Sequence, residues 1–509
     1  MHFSYLPHMN GRSNEMMIIN NKFRHTFHLM PKYGWMNDPN GFSEYNGIYH
    51  LFYQYYPYGT EWGPMHWAHA VSEDLITWKH LDIALAPSLE FDRNGIFSGS
   101  ALQVGNEHWL YYTGHTDTYL DKAYDPSFKK IEEEVKEDQP IIRQVQCLAT
   151  SKDGENYTKL NKPVIGTEQL PKFIKPEDFR DPKVWMHHET FYMVVGAKSV
   201  NDEGHVLFFQ SSDGLKWDYL NNLSLGREYG TVWECPDLFE LDGKHVLMFS
   251  PQFKPRMGHK FENVYSTMAL IGSFNYESGE FTIESEKELD QGFDYYATQS
   301  LLNSKGERIT VAWMNMWLIK YPLHEGNHGW NGSMTLPRVL SCENGVLKQN
   351  PIKEIEKYRK NKISHHEMVI DGELKNEHFN GYCQEFEMKI DMSSSTEFEI
   401  RLYESEDERF IIKLDKKNSF ISMNRFYTKL PSMSTISPHD FTRSCPVQLD
   451  DKVTLRIFVD VSSVEVFIND GEEVMTSLFF SEKHSDAVVF ASIGKTVISE
   501  FNKYEIEVK

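Results

Sequence analysis

Asn46-Gly47-Ile48-Tyr49-His50-Leu51-Phe52-Tyr53 opens on a two-residue turn and then alternates aromatic and aliphatic side chains. An Asn-Gly turn before a period-two run is a hairpin signal, because both turn residues tolerate positive φ and the run presents one face to a core. The same figure returns as Gly105-Asn106-Glu107-His108-Trp109-Leu110-Tyr111-Tyr112 and as His188-Glu189-Thr190-Phe191-Tyr192-Met193-Val194-Val195. Asp242-Gly243-Lys244-His245-Val246-Leu247-Met248-Phe249 and Lys305-Gly306-Glu307-Arg308-Ile309-Thr310-Val311-Ala312-Trp313 complete the set. Copies spaced about 50–80 residues apart are what stacked four-stranded units produce. A second repeat lies between them: Ser72-Glu73-Asp74 with Trp78, Ser151-Lys152-Asp153 with Tyr157, and Ser212-Asp213-Gly214 with Trp217. Each is a turn followed by an aromatic residue that could begin the next strand. Antiparallel sheets arranged radially make a β-propeller, and five repeats predict five blades over residues 1–345. A single large β-sandwich would leave the paired repeats unexplained.

Residues 346–365 change character. Asn350-Pro351 reads as a helix start, with Ile352, Ile355 and Tyr358 at helical spacing, so a short helical linker is expected there. From 366 to 509, alternating runs such as Glu385–Ile390, Arg409–Leu414 and Val453–Val459 predict a C-terminal β-sandwich. The whole is an all-β chain of two domains, in keeping with 509 residues. Thr118–Gln139, rich in Lys and Glu, reads as a solvated helical excursion between blade strands, with a lid or subunit contact as the alternative.

The net charge of −22 disfavours nucleic acid and anionic membrane as partners. Cys147, Cys235, Cys342, Cys383 and Cys445 are odd in number and lack CxxC spacing, which suggests reduced thiols. Met16-Met17-Ile18-Ile19 is far shorter than a signal-peptide core, and the expected location is cytoplasmic. No phosphate loop, nucleophilic serine motif or dinucleotide fingerprint is present, so no cofactor is expected. His66 and His69 lack a third ligand at a fixed spacing and are read as packed or hydrogen-bonded rather than metal-bound.

Three acidic segments carry the chemistry: Trp35-Met36-Asn37-Asp38-Pro39-Asn40-Gly41, Phe179-Arg180-Asp181-Pro182 and Trp233-Glu234-Cys235-Pro236-Asp237. In each a proline follows the acid at once or one residue later, fixing φ and stiffening what reads as a turn. Trp35, Trp233 and Arg180 offer aromatic faces for sugar C–H surfaces and a rigid donor fork for hydroxyls. Two carboxylates in different environments suit glycoside hydrolysis. Amide donors around Asp38 should hold its pKa down, as a nucleophile requires, and apolar neighbours should raise that of Glu234, as an acid requires. Asp181, beside Arg180, should stay ionised and accept hydroxyl hydrogen bonds.

In these motifs, and over nearly all its length from about Phe23, the chain resembles glycoside hydrolase family 32, the invertase, sucrose-6-phosphate hydrolase and fructanase family. The resemblance implies Asp38 as nucleophile, Asp181 as transition-state stabiliser and Glu234 as acid/base in a retaining double displacement. It implies sugar contacts from Trp35, Asn37, Gln54, Trp62, Phe97, Ser98 and Arg180, with Asp294-Tyr295-Tyr296-Ala297 and Trp313 as rim elements. It also implies no metal and a five-bladed propeller with a C-terminal sandwich. Two positions depart from the family pattern: Val461 replaces its usual arginine and Tyr295 its usual phenylalanine.

The expected substrate is a small sugar: sucrose, sucrose-6-phosphate or a short fructan. A non-catalytic sugar-binding propeller is the alternative from another class, but binding alone would not require an acid/base. The sandwich could be a remnant carbohydrate-binding module, or a cover for the propeller flank that helps form a homodimer. Fructosyl transfer in place of hydrolysis stays open.

Overall fold

The computed structural model describes residues 19–118, 141–325, 328–449 and 452–508. Five antiparallel sheets are arranged as the blades of a propeller. The first contains Gly34–Tyr45, Ile48–Tyr56, His66–Ser72 and Lys79–His80. The second contains Gly95–Val104, Glu107–Asp117, Ile142–Ser151 and Thr158–Lys159. Ile174–His187, Thr190–Ser199, Gly204–Ser211 and Asp218–Leu223 form the third, and Trp233–Leu241, Lys244–Pro251, Met268–Asn275 and Glu280–Glu288 the fourth. The fifth is built from Tyr296–Leu302, Arg308–Trp313, Arg338–Glu343 and Val346–Pro351. Each copy of the first sequence repeat is the turn into the second strand of a blade.

The second repeat is the turn between a blade's third and fourth strands, and its hydrogen bonds explain its composition. The Ser72, Ser151 and Ser211 hydroxyls each accept a backbone N–H three residues on, from Leu75, Gly154 and Gly214. The carbonyls of those same three residues then receive Trp78 Nε1–H, Tyr157 O–H and Trp217 Nε1–H, each at 3.1 Å. In the third copy the serine that bonds is Ser211, one residue earlier than the sequence pattern suggests.

Beyond the propeller a nine-stranded sheet folds on itself as a sandwich-like barrel. The long strand Gln384–Leu402 pairs along one edge with Val489–Ile506, and along the other first with Val453–Asp460 and then with Phe410–Asp415. Phe386, Ile400, Ile412, Ile457 and Phe490 fill its core. The helical linker expected over 346–365 is not formed. Val346–Pro351 is the last strand of the fifth blade, Lys353–Tyr358 is a 3₁₀ turn, and Arg359–Lys375 is already a strand of the sandwich. Ile352, Ile355 and Tyr358 recur every three residues, which is the 3₁₀ period, and they pack into an apolar cluster with Phe458 and Phe467 of the sandwich.

Buried charges join the two parts. Arg338 of the fifth blade, fully buried, donates to Asp290 Oδ2 at 3.1 Å and to Glu465 Oε2 of the sandwich at 2.7 Å. His28 donates through both ring nitrogens, to Asp460 at 2.8 Å and Glu465 at 2.9 Å. Burial alone would lower its pKa, but these two carboxylates raise it to about 9. His25, His28 and Asp460 lie close enough together to suggest a metal site. An imidazolium with both nitrogens committed to carboxylates has no lone pair to offer a cation. All five cysteines are unpaired. No helix among the described residues is long and apolar enough to cross a membrane. The charged stretch 118–139 lies, apart from Thr118, outside the described residues.

Candidate active site

The first strand of every blade lies innermost, and each is irregular at the same depth. Asn37-Asp38 together oppose Gln54; Ser98 is an extra residue between Phe97 and Gly99; Asp181-Pro182 oppose Val195. Cys235-Pro236 oppose Phe249, and Ala297-Thr298 oppose Ala312. Five bulges thus form a ring, and four of them bring Asp38, Ser98, Asp181 and Cys235 against one another. Proline cannot donate to a β ladder and is tolerated at a bulge. This, and not a turn, is why Pro39, Pro182 and Pro236 accompany the acids. Asp181, Cys235 and Ala297 take left-handed φ of 67°, 49° and 57°. A Cβ on Gly196 of the third blade would stand 2.1 Å from the carbonyl oxygen of Trp233, so only glycine lets the third and fourth blades close at this level.

The ring brings the three acids together. Asp38, half-buried, accepts from Ser98 Oγ at 2.7 Å and from Asn37 Nδ2 at 3.1 Å. Asn37 is itself oriented by Trp35 Nε1–H at 2.7 Å. Asp181 accepts the Cys235 N–H at 2.9 Å, and the Cys235 thiol lies 3.6 Å from both Asp38 and Asp181. Arg180 directs Nε and Nη2 at Glu234 Oε1, both at 3.0 Å, and Tyr296 donates to Glu234 Oε2 at 2.5 Å.

The electrostatics differ from the sequence expectation. Burial pushes the Asp38 carboxyl up to about 6, the negative field of Glu234 adds to it, and the Ser98 and Asn37 donors pull it only partly back. Burial likewise raises Asp181, and the repulsion of Glu234 and Asp38 adds to the rise; Arg180 opposes it. Glu234 faces a guanidinium and a phenol, not the apolar pocket anticipated from Trp233 and Pro236. Trp233 is turned inward, stacked on Phe249 at 4.1 Å.

The remaining anticipated residues divide. Trp62 is 38% exposed and meets Phe97 edge-on at 6.0 Å, and Phe97 stacks on His115 at 4.0 Å, giving an apolar wall beside Ser98. Gln54, buried behind Asp38, donates to the Ile96 carbonyl at 2.9 Å. Trp313 is fully buried and packs 5.7 Å behind Trp35, so it supports the site without facing it. Tyr295 is not part of the site. Its ring lies under Arg338 at 4.5 Å and its hydroxyl reaches Gln349, because successive strand residues face opposite ways and the next residue, Tyr296, takes the inward place. Asp294 is also structural, held by Tyr321 and by Arg425 of the sandwich. His69 bonds to His50 at 2.9 Å and His66 to the Pro64 carbonyl at 3.0 Å, so they face different partners.

Sequence reasoning missed Asp178 and Gln144, which grip Arg180 Nη1 at 2.9 and 3.1 Å, and Lys198, which holds the other oxygen of Asp178 at 2.6 Å. Asp178 stands two residues before Arg180, the same-face spacing of a strand, and could have been found by it. Trp317, 5.9 Å from Trp35 and stacked on it, was missed as well; with Trp35 and Trp62 it lines a cavity of about 380 Å³.

Comparison with known proteins points to one family. The chain is 38% identical over 493 residues to a sucrose-6-phosphate hydrolase of Escherichia coli, covering 94% of each chain. A Bombyx mori GH32 beta-fructofuranosidase, solved as a mutant in complex with sucrose, superposes with a TM-score of 0.79 at 32% identity, over 96% of this chain and 95% of that one. The sucrose-6-phosphate hydrolase of Lactobacillus gasseri gives 0.82 at 27% identity, over 96% and 93%. Residues 28–351 match the N-terminal domain of glycosyl hydrolases family 32 and residues 354–506 its C-terminal domain, and the chain belongs to that family.

Proposed function

We propose that this protein is a retaining β-fructofuranosidase that hydrolyses sucrose or sucrose-6-phosphate. The observation that carries the reading is the convergence, at the level of the inner-strand bulges, of Asp38 of the first blade, held by two neutral donors, and Glu234 of the fourth, held by Arg180 and Tyr296. In the first step Asp38 attacks the anomeric carbon of the fructofuranosyl unit while Glu234 passes a proton to the leaving oxygen. In the second, Glu234 takes a proton from water, the water oxygen displaces Asp38, and fructose is released with its configuration retained. Asp181, buried and anchored by the Cys235 N–H, accepts ring hydroxyls, whose hydrogen bonds strengthen as positive charge develops at the reacting carbon. Asn37 and Ser98 fix the Asp38 carboxylate, and Trp62 and Phe97 offer apolar surface to the sugar.

Residues 1–345 hold all of these groups, and we assign residues 366–509 a covering role for the propeller flank. A cytoplasmic location accords with the two sucrose-6-phosphate hydrolases among the similar proteins, since a phosphorylated sugar is a product of intracellular chemistry. The test is kcat/KM on sucrose and sucrose-6-phosphate side by side, with Asp38→Asn as the blank. Turnover of at least one, abolished in the blank, is expected; no turnover of either overturns the proposal.

A further inference from the structure

The loop from Gln252 to Ser266 is tied to the strand that bears Glu234. Thr231 N–H donates to the Gln252 carbonyl and Gln252 N–H to the Val232 carbonyl, both at 2.9 Å. Within this loop Phe253 combines two unfavourable features. Its backbone is left-handed, with φ of 58°, and its side chain is 48% exposed. A bulky residue in that conformation is strained, and burial does not compensate here. The strain is held in place by Phe253 N–H donating to the Val264 carbonyl at 2.8 Å. The ring is thereby set 5.2 Å from that of Tyr265, whose backbone is bridged to Gln252.

Tyr265 connects this pair to the chemistry. Its ring meets Tyr296 edge-on at 5.7 Å, and Tyr296 donates to Glu234. Burial raises the pKa of the Tyr265 hydroxyl, the charge of Glu234 adds to the rise and Arg180 opposes it. Whatever departs on protonation by Glu234 must lie beside Glu234, and the contacts from Glu234 to Tyr296, Tyr265 and Phe253 lead outward from that point to two further aromatic rings. A hexopyranosyl group presents C–H faces suited to such rings.

We propose that Phe253, supported by Tyr265, is a platform for the pyranose leaving group and so a specificity-determining residue for substrates that release a hexose. The proposal rests on the β-fructofuranosidase reading above. Phe253→Gly removes the ring and suits the left-handed backbone, so loss of folding is not expected. Its kcat/KM should be compared with wild type and Phe253→Tyr on sucrose and on methyl β-fructofuranoside, whose methanol leaving group is too small to reach the platform. We expect Phe253→Gly to lose about tenfold on sucrose and less than twofold on the methyl glycoside, with Phe253→Tyr near wild type on both, as for one aromatic contact. Equal losses on both substrates, or no loss on sucrose, would overturn the platform. Failure of the wild type to cleave either substrate would instead overturn the β-fructofuranosidase reading.

Discussion

Ser98→Ala isolates the control of the Asp38 carboxylate. The Ser98 hydroxyl donates to Asp38 Oδ2 at 2.7 Å and is the strongest of the groups that hold this carboxyl down against burial, which has already raised it to about 6. A hydrogen bond to a charged group is worth roughly 1.5–3 kcal/mol. Asp38 is half-buried and water can occupy the vacated space, so about half of this, roughly 0.8–1.5 kcal/mol, is the reasonable loss, or up to about one pKa unit. The bond favours the ionised form, so its removal raises the pKa, and a nucleophile that must be ionised is lost at higher pH than before. The acidic limb of kcat/KM on sucrose should move from about pH 6 to at most about pH 7, which means a loss of up to about fivefold at pH 6 and twofold at pH 7, converging above about pH 8. Steady-state kinetics from pH 4.5 to 9, in steps of roughly half a unit, would measure it. A uniform loss with the limb unmoved would refute the reasoning, since Ser98 would then position substrate without tuning the nucleophile.

Three further outcomes follow from the packing. Arg338→Met removes the guanidinium that pairs with buried Asp290 and leaves Glu465 with His28 as its charged partner, and should cost about 3–5 kcal/mol, read as a lower denaturant midpoint; an unchanged midpoint would show that the cluster does not join the two parts. The His28 pKa is raised from 6.5 to about 9, so its ion pairs contribute on the order of 3 kcal/mol, fully present below pH 6.5 and lost as pH rises through 9. The stability difference between wild type and His28→Gln, from denaturant melts, should accordingly shrink between pH 7 and 10, and a constant difference would contradict the assignment. Gly196→Ala would force the third and fourth blades apart at Trp233, costing about 1–3 kcal/mol in melts and at least about tenfold in kcat as Glu234 is displaced; wild-type kcat would show that the close approach is not needed.

The blade count was readable because each blade repeats one local event, a tight turn into a second strand, and local turn chemistry survives in a single sequence. The acid segments stood out too, since a proline beside each acid marks a stiffened backbone. What the sequence could not convey was the reason. Asp38-Pro39 and Asp181-Pro182 look like turns when read alone, and only the pairing partners Gln54 and Val195 reveal bulges inside continuous strands. Alternation along the fifth inner strand decides between Tyr295 and Tyr296, because a shift of one residue exchanges the faces of a strand. The 3₁₀ turn at Lys353–Tyr358 reads as a linker helix in sequence because a spacing of three residues satisfies both periods. Non-local electrostatics were the least legible. Glu234 receives its environment from Arg180 and Tyr296, each more than fifty residues away, while its sequence neighbour Trp233 points into the core.

The double displacement at Asp38 and Glu234 is tested most directly by the configuration of the first fructose released from sucrose, followed by NMR at high enzyme concentration before mutarotation. Two successive displacements, the first by Asp38, predict that β-fructofuranose appears first and the α form only later. Initial release of α-fructofuranose would mean a single displacement by water and would contradict the assignment of Asp38 as nucleophile.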